Sequence, residues 1–180
     1  MKRLLVSFSG RKGSGNCIGV SKYISEGSPK YEDSIIDITD FEIESCFNCD
    51  YECFDTGCPK DDDVYELYEE MMRYDSVIFV LPVYSGTPCS KFFAFRERSQ
   101  GIFDEGSYKR YQRVKKNYIV IGNEEAGGKD AVKIVKMVEG SSGEILLLQS
   151  HRYGERSLSG DLIEREEVRK DIDRFLDRIE

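Results

Sequence analysis

Two glycine-rich stretches decide the fold of this chain: SGRKGSGNC at residues 9–17 and PVYSGTPC at residues 82–89. Each stretch begins where an apolar, strand-like segment ends, and each precedes a segment with helical spacing. In doubly wound α/β proteins, the loops after the first and third strands meet at a crevice where ligands bind. The two stretches therefore predict a parallel sheet with a nucleotide-like cofactor at its carboxyl edge.

The rest of the sequence alternates between strand-like and helix-like segments. Apolar runs predict five strands, at 2–9, 34–39, 76–81, 116–122 and 145–148. Apolar residues at helical spacing predict five helices, near 16–26, 64–72, 90–99, 132–138 and 168–179. Such units form a three-layer α/β sandwich around a five-stranded parallel sheet, for which we expect the flavodoxin-like strand order 2-1-3-4-5. Because no internal repeat or linker interrupts the pattern, residues 1–180 are predicted to form a single domain.

The composition excludes several classes of protein. The formal charge is −8 and the isoelectric point is near 4.9. Without an extended basic block, the chain is not expected to bind nucleic acid. The apolar run at the start is too short for a signal peptide, and no later segment is long enough to span a membrane. We therefore expect a cytoplasmic enzyme with no membrane partner.

The first loop is a candidate phosphate site because it precedes a helix and is rich in backbone amides. Its candidate binding residues are Ser9, Arg11, Lys12, Gly13, Gly15, Asn16 and Cys17. A Walker A loop has a lysine and a hydroxyl where this chain has Asn16 and Cys17, so hydrolysis of a nucleoside triphosphate is not expected. The glycine spacing also misses the dinucleotide fingerprint by one residue. A monophosphate held without magnesium fits best, and a simple glycine-rich turn is the alternative.

The second loop combines a rigid proline, an aromatic residue and small residues that allow a flat ring to approach the backbone. Its candidate residues are Pro82, Val83, Tyr84, Ser85, Gly86 and Thr87. We therefore expect a planar cofactor to lie along this loop.

Together with FFAFRER at 92–98, the two loops resemble the flavodoxin-like NAD(P)H-dependent FMN reductases, near their iron–sulfur flavoprotein branch. The resemblance implies that the first loop binds the FMN phosphate and that the second lies along the isoalloxazine ring. It also implies that Asn123, Glu124 and Gly127 approach this ring. Cys17 stands where the family has a hydroxyl, and Phe93 stands where it has a lysine.

The resemblance implies an activity as well as a cofactor. The expected function is an FMN-dependent oxidoreductase that takes electrons from NAD(P)H, such as NADPH, and passes them to an unidentified small-molecule or protein acceptor. The alternative is an electron-transfer flavoprotein that serves protein partners without small-molecule turnover. The resemblance also implies a homo-oligomer, for example a homodimer. No catalytic acid or base is predicted, since the flavin supplies the chemistry, and His151 is expected to be a loop residue.

Four cysteines lie within a polar segment at 40–60, predicted to be a long loop. Cys46, Cys49, Cys53 and Cys58 have the spacing C-x2-C-x3-C-x4-C. This run resembles the compact motif of iron–sulfur flavoproteins, although their second gap is usually two residues. Zinc, a redox-active dithiol at Cys46 and Cys49, and free thiols are the alternatives.

The topology predicts where this loop lies. It leaves the sheet at the same carboxyl edge as the other two loops, so we expect it to fold over the crevice. Cys17 and Cys89 lie outside the run and are expected to pack in the core. The aspartates at 61–63 are expected to cap the following helix.

Overall fold

The structure is a computed structural model that describes residues 1–27, 29–101, 104–123, 127–140, 143–154 and 160–179. The strands are β1 (Lys2–Ser7), β2 (Glu32–Asp37), β3 (Ser76–Tyr84), β4 (Thr87–Pro88), β5 (Lys115–Gly122) and β6 (Ile145–Gln149). The helices of the described part are α1 (Asn16–Gly27), α2 (Val64–Met71), α3 (Ser90–Glu97), α4 (Glu105–Arg113), α5 (Gly128–Glu139) and α6 (Glu166–Ile179).

Five of the strands run parallel in the order β2-β1-β3-β5-β6. This order confirms the predicted α/β class and the flavodoxin-like topology. The two-residue strand β4 was not predicted; it pairs antiparallel with the end of β3 and closes a tight turn there. Helix α4 was also missed because its sequence is mostly polar: it starts at the Asp104 cap and buries only Ser107, Tyr111 and the following Val114.

Two apolar clusters cover the two faces of the sheet. One face packs against α2, α3, α4 and α5, with aromatic contacts among Phe8, Phe79, Phe92 and Phe95. The other face packs against α1 and α6, with Val20, Ile24, Ile172 and Phe175 in its core. Parallel strands covered on both faces are expected to be apolar throughout, as β1 and β3 are.

A buried ion pair joins the edge strand β2 to β1. Arg3 and Asp33 are register partners, and the guanidinium donates to both carboxylate oxygens, at 2.9 Å from Nε and 2.6 Å from Nη2. Their side chains are only 1% and 2% exposed, and the Arg3 guanidinium also lies 4.2 Å from the centre of the Tyr31 ring. An isolated charge at this depth would carry a large desolvation cost, so each partner depends on the other.

We predict that Asp33→Asn lowers the free energy of unfolding by about 3–5 kcal/mol, because it leaves the Arg3 charge buried without its partner. Urea titration followed by circular dichroism measures the change. The control is Asp130→Asn, which breaks an exposed pair with Lys133 and is expected to have little effect on stability. Equal effects of the two variants would contradict a structural role for the buried pair.

Candidate functional site

A cavity of about 130 Å³ lies where the two glycine-rich loops meet, and we call it the crevice. It is lined by Ser9, Arg11, Asn16, Cys17, Pro82, Val83, Tyr84 and Ile121. The first two belong to the loop after β1, the next two to the first turn of α1, and the next three to the end of β3. Ile121, near the end of β5, was not singled out from the sequence because it reads only as a buried strand residue.

A carboxylate occupies part of the first loop. The backbone amide of Gly13 donates to Asp37 Oδ2 at 2.8 Å, while Thr39 donates to Oδ1 from its amide at 3.1 Å and from its hydroxyl at 2.8 Å. Partial burial opposes ionisation of Asp37, but these hydrogen bonds favour the carboxylate and lower its pKa overall. Lys12 forms an exposed ion pair with Asp40 at 2.6 Å. Thus Lys12 and Gly13 bind acidic side chains and do not line the crevice.

The segment that precedes α6 lies against the first loop. The amide of Leu162 donates to Asn16 Oδ1 at 3.1 Å, and a Cβ placed on Gly160 would lie 3.3 Å from the Cα of Gly15. Sequence reasoning missed this contact, because no motif in 160–162 points to a partner about 145 residues earlier. The Asn16 side chain therefore helps to fix the loop as well as to line the crevice.

The second loop forms a tight turn between β3 and β4. Ser85 and Gly86 have positive φ angles of 50° and 83°, and Thr87 Oγ1 donates to the carbonyl of Tyr84 at 3.1 Å. Gly127 touches this turn: a Cβ there would lie 2.5 Å from the Cα of Gly86, so only glycine fits. Ser85, Gly86, Thr87 and Gly127 therefore shape the second loop without lining the crevice.

The loop after β5 is described only at its ends. Asn123 has a buried Oδ1 atom with no hydrogen-bond partner. Glu124 lies outside the described residues.

Cys17, which lines the crevice, and Cys89 are both buried, as expected of residues that pack in the core. Cys17 and Cys89 belong to the apolar clusters on opposite faces of the sheet. Burial raises the pKa of Cys17 strongly and that of Cys89 to about 11. Burial and then these two thiols also raise the pKa of Tyr84. Neutral thiols of this kind pack as apolar groups.

The four remaining cysteines line a second cavity, of about 250 Å³, which we call the cysteine cavity. Its walls include Cys46, Cys49, Cys53 and Cys58, together with Glu97, Arg98 and Gly101 at the end of α3. No residue lines both this cavity and the crevice. Within the described ranges, no three His, Cys, Asp or Glu side chains are arranged to hold a single metal ion.

The path of the loop at 40–60 explains why the cysteines lie away from the crevice. Lys91, in the first turn of α3, donates to the carbonyl of Phe41 at 3.3 Å, whereas Glu97, in its last turn, accepts from the amide of Cys46 at 2.5 Å. The segment 41–46 thus follows α3 away from the crevice, over about 12 Å for eight residues. The expectation that the cysteines fold over the crevice was wrong, because these contacts carry them to the opposite end of α3.

The cysteines pack closely against the end of α3, and they shift one another's pKa values. A Cβ on Gly101 would lie 2.6 Å from the Cβ of Cys53 and 3.4 Å from that of Cys58, so the glycine is needed there. A hydrogen bond from the Cys53 amide lowers the pKa of Cys49. The pKa of Cys53 is raised first by desolvation, then by a hydrogen bond with Cys49 and its charge, and then by the charges of Cys58 and Cys46. The thiol of Cys53 therefore lies within electrostatic reach of the other three.

The aspartates before α2 have a larger role than capping. Asp62 Oδ1 accepts from the amide of Val64 at 3.4 Å, but the same carboxylate also forms a buried pair with Arg98. Asp63 occupies the cap position without a side-chain cap bond, and its Oδ2 accepts from the amide of Glu42 at 2.6 Å.

His151 is exposed in the turn after β6. Among the described helices, none is long and apolar enough to cross a membrane.

Comparison with known proteins identifies a matching family. The sequence pattern of the family described as "NADPH-dependent FMN reductase" matches residues 1–133. The chain is 27% identical over 129 residues to a protein named "Iron-sulfur flavoprotein" from Archaeoglobus fulgidus; the match covers 71% of this chain and 63% of that protein.

Solved structures share the fold at low identity. A flavone reductase is 18% identical with a TM-score of 0.64, covering 95% of this chain and 59% of that one. An azoreductase from Bacillus anthracis is 14% identical with a TM-score of 0.64, covering 97% and 100%. This chain therefore spans less than two thirds of the length of both the flavoprotein and the flavone reductase.

We predict that Asp37 stabilises the first loop in a pH-dependent way. Because its pKa is lowered on folding, its contribution is present above the usual carboxyl pKa of about 3.9 and is lost as the pH falls through the lower folded value. The difference in free energy of unfolding between the wild type and Asp37→Asn is thus expected to shrink on acidification. Urea titrations at several pH values measure it, with exposed Asp177→Asn as the control. A difference that does not change with pH would contradict the assignment.

Proposed function

Because the chain belongs to the family of NADPH-dependent FMN reductases, we propose that it is an FMN-dependent oxidoreductase. It would pass electrons from NAD(P)H through bound FMN to a small-molecule or protein acceptor. The observation that carries this proposal is the crevice, where a loop at a helix N-terminus meets a tight turn at the end of the central strand β3.

The residues of the crevice fit a phosphorylated planar ring. The crevice lies at the N-terminus of α1, where backbone amides and the helix dipole favour a phosphate. Arg11 lines the crevice and carries the positive charge that a phosphate requires. The buried Oδ1 atom of Asn123, which has no hydrogen-bond partner among the described residues, would supply an acceptor at the end of β5 for a ring N–H group.

Each wall of the crevice has its own task. We propose that Ser9, Arg11 and Asn16 hold the phosphate and that Tyr84 lies beside the ring. Pro82, Val83 and Ile121 would exclude water from the buried side of the ring. When bound, FMN supplies hydride acceptance from the nicotinamide and electron delivery to the acceptor. The protein needs to bind and orient the ring, and no acid or base of its own is required.

We further propose that the four cysteines hold an iron–sulfur cluster. Support comes from the cysteine cavity, in which all four thiols line one space of about 250 Å³ next to a glycine that leaves room for their side chains. The cluster would supply one-electron transfer. Zinc and a redox-active dithiol are the other possible uses of these thiols.

One observation favours the alternative function, an electron-transfer flavoprotein that serves protein partners. The rim of the cysteine cavity exposes Phe47, Tyr51 and Phe54, at 50%, 76% and 61% of their surface. Clustered exposed aromatic residues are typical of protein contact sites. From the uninterrupted alternation of strands and helices we also propose a single domain, and from the family resemblance a homo-oligomer. The cytoplasmic location expected from the sequence stays a proposal.

Steady-state kinetics separates the two functions. Anaerobic oxidation of NADPH and NADH is measured with a quinone or ferric ion as acceptor, using protein loaded with FMN. Sustained turnover that depends on FMN supports the oxidoreductase. Stable flavin binding without turnover with any small acceptor favours the electron-transfer protein, and protein that binds no flavin rejects both.

We predict that Arg11→Ala weakens the binding of FMN roughly tenfold or more, because it removes a charge-assisted contact with the phosphate. Quenching of flavin fluorescence measures the dissociation constants of FMN and of riboflavin, which lacks the phosphate. Riboflavin binding is expected to stay unchanged, and so is the binding of both ligands to the surface control Arg73→Ala. Equal losses for FMN and riboflavin would place the phosphate elsewhere.

We also predict that the four cysteines act as one unit. Serine at any one of Cys46, Cys49, Cys53 or Cys58 should remove most of the iron and sulfide from anaerobically purified protein, since the remaining thiolates bind a cluster less well. Flavin content should not change, and the control Cys89→Ala, outside the cavity, should keep its iron. Four small and independent effects, or wild-type protein without iron and sulfide, would reject the cluster.

A further inference from the structure

Arg98 is a buried arginine that binds Asp62 and two residues of the loop at 40–60, which we call the cysteine loop. It is 3% exposed and follows the last residue of α3. Its guanidinium forms a two-pronged pair with Asp62, at 2.6 Å and 2.9 Å, in which both side chains are only 2% exposed. Its Nε donates to the sulfur of Cys58 at 3.2 Å. A cation is thus directed at one of the four thiols.

The same ion pair holds the other end of the loop. Arg98 Nη1 donates to the carbonyl of Glu44 at 3.2 Å, and the amide of Glu44 donates to Asp62 Oδ2 at 3.0 Å. Both backbone groups of the residue two places before Cys46 are therefore bound by one pair. Since Cys58 ends the cysteine run, the Asp62–Arg98 pair closes the loop at its base.

The contact with Cys58 distinguishes this sulfur from the others. Across the described residues, the structure gives no hydrogen bond from a lysine or arginine to the sulfur of Cys46, Cys49 or Cys53. The donor to Cys58 is also fixed in place, because Asp62 occupies two other nitrogen atoms of the same guanidinium. A fixed cationic donor withdraws negative charge from a thiolate, which favours the reduced state of any iron bound to it.

We propose that Arg98 is a positioning residue for the metal group: it fixes Cys58 and raises the reduction potential of the bound cluster. This inference rests on the proposed iron–sulfur cluster. The geometry requires arginine, because one planar group donates to Asp62, Glu44 and Cys58 at once. A lysine has a single head and no Nε–H at the position that faces the sulfur.

The decisive variant is Arg98→Lys, in the full chain purified without air and reconstituted with iron and sulfide. Lysine keeps a positive charge for Asp62 and so avoids an unpaired buried carboxylate, but it loses the donor to Cys58. The matched control is Arg110→Lys, on the exposed surface of α4. The readouts are the midpoint potential of the cluster in a dye-mediated titration, the retention of iron against a chelator, and the flavin content.

For Arg98→Lys we expect a midpoint potential more negative than that of the wild type and a loss of iron affinity of roughly 10- to 100-fold. The control should match the wild type in both, and all three proteins should keep their flavin. An Arg98→Lys protein with wild-type potential and iron retention would overturn the inference alone. If Arg98→Lys fails to fold, the double variant of Asp62→Asn with Arg98→Met, which removes the donor and leaves no unpaired buried charge, replaces it, and an unchanged potential there overturns the inference equally. Wild-type protein that takes up no iron and sulfide would overturn both the cluster and the role of Arg98.

Discussion

The pairing of β1 with β3 is the constraint on which the rest of the structure depends. The two strands are in register from Arg3 and Ser76 to Ser7 and Val80, and the amide of Phe8 extends the ladder to Val80 at 2.9 Å. The chain therefore leaves both strands at the same edge of the sheet. Because α1 and α3 pack on opposite faces, the loops that lead to them separate and leave the crevice between them.

Helix α3 then relates the two candidate cofactor sites. It begins just after the turn that walls the crevice, and it ends at the residues that support the cysteines. Had the loop at 40–60 folded over the crevice, it would have covered the opening of the crevice. Its path along α3 instead leaves that side open and gives the cysteines a separate surface of their own. One short helix thus separates the crevice from the cysteine cavity.

The sequence predicted the features that repeat along the chain or that lie close together in it. Buried strands and amphipathic helices have a period, and the strand order follows from their alternation, so the fold could be derived apart from the short strand β4 and the polar helix α4. The two glycine-rich loops could be placed at the crevice because topology brings them together. The contacts of Asp37 with Gly13, of Leu162 with Asn16 and of Asp62 with Arg98 have no period and join residues far apart, and so only the structure identifies them.

Buried ion pairs account for much of the structure that could not be predicted from the sequence. Arg3–Asp33 joins the edge strand to the sheet, and Asp62–Arg98 joins the cysteine loop to the end of α3. A polar loop has too little apolar surface to determine its own position, and an apolar contact would accept several registers. A two-pronged arginine–carboxylate pair accepts only one, because any shift leaves two charges buried without partners. Such a pair adds little net stability compared with apolar packing, but it determines where a loop without a period must lie. The cysteines are therefore positioned by electrostatics, whereas the crevice is positioned by the hydrogen bonding and packing of the sheet.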